Sequence, residues 1–209
     1  KPSVYVGRTD ARKLAPLLDE ETARRANYPG LNRATAGLYP PGSTWKPVTA
    51  LAGMQEHVFS AYDSLQCTPS AEYGLDRQRF RNWNPYVDRP MTLPEALAES
   101  CDTYFYEVGN RFYTQGRSGW SRLQEWAVRF GFGAPTGGEL PGESGGPFRP
   151  TARWSALSLP SLSFGQEIGV NALQLARAFA VIANGGVLPT PHLVAWVARP
   201  GAPPERRAP

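Results

Sequence analysis

Ser43 and Lys46 lie three residues apart in the stretch Tyr-Pro-Pro-Gly-Ser-Thr-Trp-Lys-Pro, residues 39–47. Side chains at i and i+3 share a helix face, with Cβ atoms about 5–6 Å apart, so the lysine amine can reach the serine hydroxyl. A serine hydroxyl attacks a carbonyl only when a neighbour takes its proton. A lysine does so only when burial or nearby positive charge keeps part of it neutral. Arginine cannot serve, because it does not deprotonate in proteins. The chain has three lysines, Lys1, Lys13 and Lys46, against a large excess of arginine. A second candidate set is Ser100-Cys101-Asp102: a further hydroxyl could relay a proton to a leaving amine, and a carboxylate could hold Lys46 in place. Each set has a plain alternative, a helix cap with a surface lysine for the first and a polar break between two helices for the second. Their joint occurrence favours acyl transfer.

The elements that must position these residues are legible in outline. Pro40, Pro41 and Gly42 make a turn, and Val48, Leu51, Ala52 and Gln55 follow at i, i+3, i+4 and i+7. The spacing predicts a packed helix over 43–56 with Ser43 at its N-terminus, where free N–H groups and the helix dipole favour a developing oxyanion. Thr92 and Glu95 have capping-box spacing with Pro94 in the first turn, so a helix should run from 93 to near Ser100. A second is expected over 103–112, burying Tyr104, Phe105, Val108 and Phe112. Further helices are expected at 11–18, at 119–130, where Leu123, Trp126, Ala127 and Phe130 keep the helical rhythm before Gly131, and at 171–184. Residues 59–91 read as turn-rich, and 199–209, with nothing apolar to bury, as a disordered tail.

Residues 31–50 resemble the first active-site motif of the penicillin-binding transpeptidases, in particular the class B enzymes of cell elongation, of penicillin-binding protein 2 type. Ser100-Cys101-Asp102 followed by Thr-Tyr-Phe-Tyr is similar to their second motif, usually written Ser-x-Asn, and Leu93 to Ala98 also fit. The glycine-rich stretch 130–143, the run 163–170 and the run 172–186 resemble the connector and the helix behind that family's active site. The resemblance spans about residues 28–194. It implies an α+β fold of the β-lactamase/transpeptidase type, with this segment mostly the helical part and the sheet incomplete at both ends. It divides the chain into a partial transpeptidase domain, 1–198, and the tail.

The resemblance further implies a peptidoglycan D,D-transpeptidase. Ser43 would be the nucleophile, Lys46 the general base, and Ser100 and Asp102 the groups that move protons and orient the lysine. Trp83, in the loop Phe-Arg-Asn-Trp-Asn-Pro at 80–85, and Cys101, inside the second motif, are expected at the substrate. The implied partners are peptidoglycan stem peptides, β-lactams, which mimic the D-Ala-D-Ala terminus, and a membrane glycan polymerase of the elongation machinery. The implied place is the extracytoplasmic face of the plasma membrane, through an N-terminal anchor outside this chain. The family's third motif, Lys-[Ser/Thr]-Gly, is not present, since no lysine follows Lys46. The chain is therefore expected to be an internal piece or a truncated product. The alternatives within the same fold are a catalytically incomplete fragment, a β-lactam sensor and a β-lactamase.

Composition fits a folded single-domain segment: 41% hydrophobic and 11% aromatic residues, six of them tryptophan, in 209 residues can enclose one core. A net charge of +4 is scattered and gives little support to nucleic-acid binding. His57 and His192 are isolated, no metal-ligand spacing occurs, and no cofactor is implied. Cys67 and Cys101 are expected as free thiols, because a cross-link inside the second motif would hinder substrate, although an envelope location would permit a bond between them.

Overall fold

The computed structural model describes residues 11–206. Two short helices, α1 (Ala11–Leu18) and α2 (Glu20–Arg25), lead to a single 3-10 turn at Gly42–Trp45 that runs directly into α3 (Lys46–Gln55). Four short strands follow, β1 (Leu65–Cys67), β2 (Ser70–Tyr73), β3 (Gln78–Arg81) and β4 (Arg89–Met91). Then come α4 (Leu93–Ala98), α5 (Asp102–Thr114), α6 (Arg117–Arg129), α7 (Ser158–Ser163) and α8 (Ala172–Ala183), and a final pair of two-residue strands, β5 (Trp196–Val197) and β6 (Glu205–Arg206).

Helix α5 is the axis of the domain. Its Tyr104, Phe105, Val108 and Phe112 are fully buried, as their spacing predicts, and it packs against α3, α6, α7 and β1. Trp45, also fully buried, lies 4.7 Å from Phe132 between ring centroids. The Leu93 helix starts where its cap signal places it: the Glu95 carboxylate accepts the Thr92 N–H at 2.8 Å. At Asn171 the same device recurs with Gln174 as the returning side chain. Gln174, fully buried, then spends its amide N–H groups on the Ala134 and Gly145 carbonyls, 2.8 Å each, which ties the glycine-rich connector to α8. A buried amide held this way is fully used, so the connector needs no regular structure of its own.

Strand pairing is sparse, as expected: among the described residues there are three two-stranded antiparallel pairs, β1 with β4, β2 with β3 and β5 with β6. Phe179 and Ile182 of α8, with Val187, Leu193 and Trp196 beyond it, leave an exposed apolar surface. Two details differ from the sequence reading. Residues 65–91 form two hairpin-like pairs rather than turns alone, because strands of three or four residues with mixed side chains carry no clear alternation. The stretch from 199 is not without structure: it turns back so that Glu205–Arg206 pair with Trp196–Val197 and Arg206 lies over the Trp196 ring. Residues 207–209 of the expected tail lie outside the described residues. The run 163–170, which resembles the stretch leading into the helix behind the family's active site, is the end of α7, a tight turn and an antiparallel bridge from Val170 to Tyr39, and the helix expected at 171–184 follows as α8.

The α5–α7 contact rests on Gly109. A Cβ there would stand 2.5 Å from the Leu159 carbonyl oxygen and 2.9 Å from the Pro160 nitrogen, and backbone cannot move aside as a flexible side chain can. Gly109→Ala should therefore destabilise the domain by about 1–3 kcal/mol, read as a lower midpoint of chemical unfolding. An unchanged midpoint would show that α7 is free to shift.

Candidate active site

Ser43 sits in the 3-10 turn, one turn ahead of α3, and its side chain is exposed. The expected α-helical start at Ser43 is thus corrected: Pro47 fits the first turn of a helix that begins at Lys46, and the preceding residues tighten into i→i+3 geometry. What holds the turn comes from the distant 163–170 segment. The Gly42 N–H donates to the Gly165 carbonyl at 3.1 Å, the Thr49 hydroxyl donates to the Ser163 carbonyl at 2.7 Å, and Tyr39 exchanges both backbone bonds with Val170 at 2.9 Å. Gly165 has φ +86°, and a Cβ on it would stand 2.6 Å from the Gly42 nitrogen and 2.8 Å from Trp45 Cβ. Only glycine satisfies both the left-handed backbone and this contact.

Lys46 is 1% exposed, and its ammonium meets three oxygens of the second motif. It donates to the Asp102 carboxylate at 2.6 Å, to the Ser100 carbonyl at 2.7 Å and to the Ser100 hydroxyl at 3.0 Å. An ammonium has three protons to donate and here finds three acceptors, so the resting arrangement is satisfied without water. Burial pushes the Lys46 amine below the ordinary lysine range, opposed by its hydrogen bond to Asp102 and by that carboxylate's charge. The Phe105 ring lies 5.5 Å beneath the ammonium. The sequence expectation that Lys46 meets Ser100 and Asp102 is therefore met in the geometry. The Lys46 backbone N–H donates to the Ser43 carbonyl, but no side-chain hydrogen bond joins the Ser43 hydroxyl to the Lys46 amine among the described residues. Catalytic bonds of this kind often tighten only when substrate is present.

Ser100 reaches the lysine through an uncommon backbone. Its φ is +52°, a left-handed conformation that costs a non-glycine residue energy and persists where the surroundings enforce it. That turn aims both its carbonyl and its hydroxyl at Lys46. The next residue closes the pin: Cys101, 1% exposed, is disulfide-bonded to Cys67 at the end of β1. The free-thiol expectation is thus overturned. The Cys101 side chain points into the domain, away from the open face, so the cross-link does not stand in a substrate's way. For the same reason its sulfur cannot touch substrate.

Trp83 lies at the rim, 64% exposed, with its indole N–H donating to the Glu99 and Ser100 carbonyls, 3.1 Å each. Its backbone N–H donates to the second Asp102 oxygen at 3.1 Å. Asn82, passed over in the sequence, is buried beside it and accepts the Asp102 N–H on Oδ1 at 3.1 Å. Its neighbours in the chain gave no signal, since the contact spans twenty residues. A base, a second hydroxyl, an orienting carboxylate and an exposed nucleophile at the mouth of a turn are the parts of a serine acyl-transfer site. Among the described residues no group of side chains could hold a metal ion.

The packing of Gly165 against Gly42 gives a specific expectation. Gly165→Ala should push the Ser43 turn out of place and lower the rate of covalent acylation of Ser43 by about a hundredfold. The loss of rate should exceed any loss in melting temperature. A folded variant that acylates at the unaltered rate would remove Gly165 from the account.

The sequence profile of the penicillin-binding protein transpeptidase domain matches residues 12–208. The peptidoglycan D,D-transpeptidase MrdA of Acinetobacter baumannii is 31% identical over 202 residues, 92% of this chain and 28% of that protein, so the chain spans under a third of that relative's length. The crystal structure of Pseudomonas aeruginosa PBP2 in complex with WCK 5153 superposes with a TM-score of 0.75 at 32% identity, over 92% of this chain and 43% of that one. A peptidoglycan synthase complex described for the coordination of polymerization and crosslinking matches with a TM-score of 0.76 at 33% identity, over 93% of this chain and 33% of its counterpart. The fold is therefore the α+β fold of the transpeptidase type, and the class B, PBP2-type likeness rests on these neighbours. The chain belongs to the penicillin-binding protein transpeptidase family.

Proposed function

We propose that this chain carries the acylation site of a peptidoglycan D,D-transpeptidase that cross-links stem peptides. The observation that carries the reading is the buried Lys46, whose donors converge on Ser100 and Asp102 one helical turn from Ser43. Ser43 Oγ would attack the carbonyl of the penultimate D-Ala. The new O–C bond forms as the C–N bond to the terminal D-Ala breaks. Lys46, once neutral, takes the proton leaving Ser43 and returns it through the Ser100 hydroxyl, which it touches, to the departing amine. An amine of a neighbouring stem then attacks the acyl-serine and returns the hydroxyl. A β-lactam follows the first half only: its ring C–N bond opens, and the acyl group stays on Ser43.

Asp102 acts by orienting Lys46 and by keeping its proton from leaving too easily. Trp83 offers an exposed ring beside the second motif, suited to an apolar or planar part of the ligand. Cys101 contributes through its place in the chain and not through its sulfur. For the whole protein we place the reaction on the extracytoplasmic side of the plasma membrane, where a disulfide persists. No helix among the described residues is long and apolar enough to cross a membrane. A glycan polymerase is the partner class suggested by the likeness to a complex named for both polymerization and crosslinking.

A fluorescent penicillin should label the protein at one residue, identified by mass spectrometry of the digest as Ser43. Ser43→Ala should abolish the label, and Lys46→Ala should slow it by about 10²–10⁴-fold, the usual weight of a general base. Labelling that survives Ser43→Ala would overturn the reading.

A further inference from the structure

Two features near the second motif are not needed by any step above: a disulfide closing the chain from residue 67 to residue 101, and a buried amide, Asn82, lodged against it. Both act on the same short segment. Cys101 stands between Ser100 and Asp102, so its bond to Cys67 anchors the motif to β1, which itself pairs with β4 just ahead of α4. Asn82 is 6% exposed. Its Oδ1 accepts the Asp102 N–H at 3.1 Å, while its Nδ2 faces the sulfurs of Cys67 and Cys101 at 3.4 and 3.8 Å. Sulfur is a weak acceptor, so the disulfide both fixes the motif and shelters the amide that orients it. The Asn82 backbone is in turn held by the Pro69 carbonyl at 2.9 Å.

The placement matters because Ser100 is strained and Asp102 is aimed. A serine at φ +52° relaxes unless the residues on each side are fixed. On one side α4 ends at Ala98; on the other the disulfide holds Cys101. Asp102 opens α5, and its two oxygens are divided between Lys46 and the Trp83 N–H. Any turn of the carboxylate would surrender one of the two.

We propose that Asn82 and the Cys67–Cys101 disulfide are the positioning device of the acylation site, holding Ser100 and Asp102 against Lys46. The proposal rests on the reading of Lys46 as the base for Ser43. Neither Asn82 nor the sulfurs touch the reacting atoms; they act through Asp102 and Ser100. The titratable groups facing the pair are Lys46, Asp102 and Tyr106 of α5, whose hydroxyl is pushed up by burial and then by the Asp102 charge. Arg89 of β4 pairs on the exposed side with Glu95 of α4 and with Glu99 just beyond it.

The test measures the second-order rate of acylation by a fluorescent penicillin against pH, on the whole protein, for Asn82→Ala and for the double variant Cys67→Ser/Cys101→Ser. Both should lose about tenfold to a hundredfold in rate, the scale of a displacement of an ångström or less. Both should also move the acid limb of the profile to lower pH. Asp102's hydrogen bond and charge help hold the proton on Lys46, and a carboxylate that drifts holds it less well. A purely structural role would lower the melting temperature and leave that limb where it was. Wild-type rates, or a slower rate with the limb unmoved, would overturn the proposal. Should the double variant fail to fold, Asn82→Ala decides alone, because it leaves the disulfide in place. If the unaltered protein is not labelled at Ser43, the reading of the site falls and this proposal with it.

Discussion

The pairing of Lys46 with Asp102 inside the domain governs the rest of the architecture. The ammonium is almost wholly enclosed and the carboxylate nearly so, at a separation of 2.6 Å. Burying two charges is expensive unless each is fully hydrogen-bonded, and removing one partner strands the other at a cost of about 3–5 kcal/mol. Every polar atom of the pair is accordingly answered. Lys46 meets three oxygens, and Asp102 receives the lysine on one oxygen and the Trp83 N–H on the other. Such an arrangement is a weak source of stability but a strong constraint on geometry, since few conformations satisfy all the donors at once. Burial works against the charge on Lys46 and Asp102 works for it. The balance suits the proposed role of Lys46, since a general base must both release and accept a proton.

The scaffold supplies that constraint from three directions. Helix α5 brings Asp102 at its first residue and then buries Thr103, Tyr104, Phe105, Tyr106, Val108 and Phe112 along its length, so the carboxylate sits on a deeply packed element of the domain. Helix α3 brings Lys46, also at its first residue, with Ser43 held just ahead of it by the contact between Gly42 and Gly165. The loop between β3 and β4 brings Asn82 and Trp83 across the face of the motif. Ser43, Lys46 and Asp102 therefore stand at the starts of two helices or just before them. There the backbone changes direction and side chains can converge from different layers.

How much of this the sequence disclosed depended on the range of the interaction. Ser43 and Lys46 are one turn apart and Ser100 and Asp102 two residues apart, so local spacing exposed them. Thr92 with Glu95 and the apolar rhythm of α5 are likewise local signals. The disulfide was misjudged because the argument against it assumed that the Cys101 side chain faces the substrate. In the fold the chain reverses through the left-handed Ser100 and sends the next side chain inward. Asn82 and Gly165 act over 20 and more than 100 residues of chain, and no periodicity marks them. The strands of 65–91 escaped because each is too short to show alternation, and one of them pairs through Pro90.

The most direct test of the central pairing is the pH dependence of Ser43 acylation in the unaltered protein and in Asp102→Asn. An ordinary lysine loses its proton near about 10.4. An acid limb below that value is expected in the unaltered protein, because burial lowers the proton affinity of Lys46. In Asp102→Asn the limb should lie lower still with a reduced plateau, because the carboxylate that opposes desolvation and aims the amine is gone. A limb that stays in place or rises in Asp102→Asn would contradict the claim that this buried pair sets the proton affinity of the base.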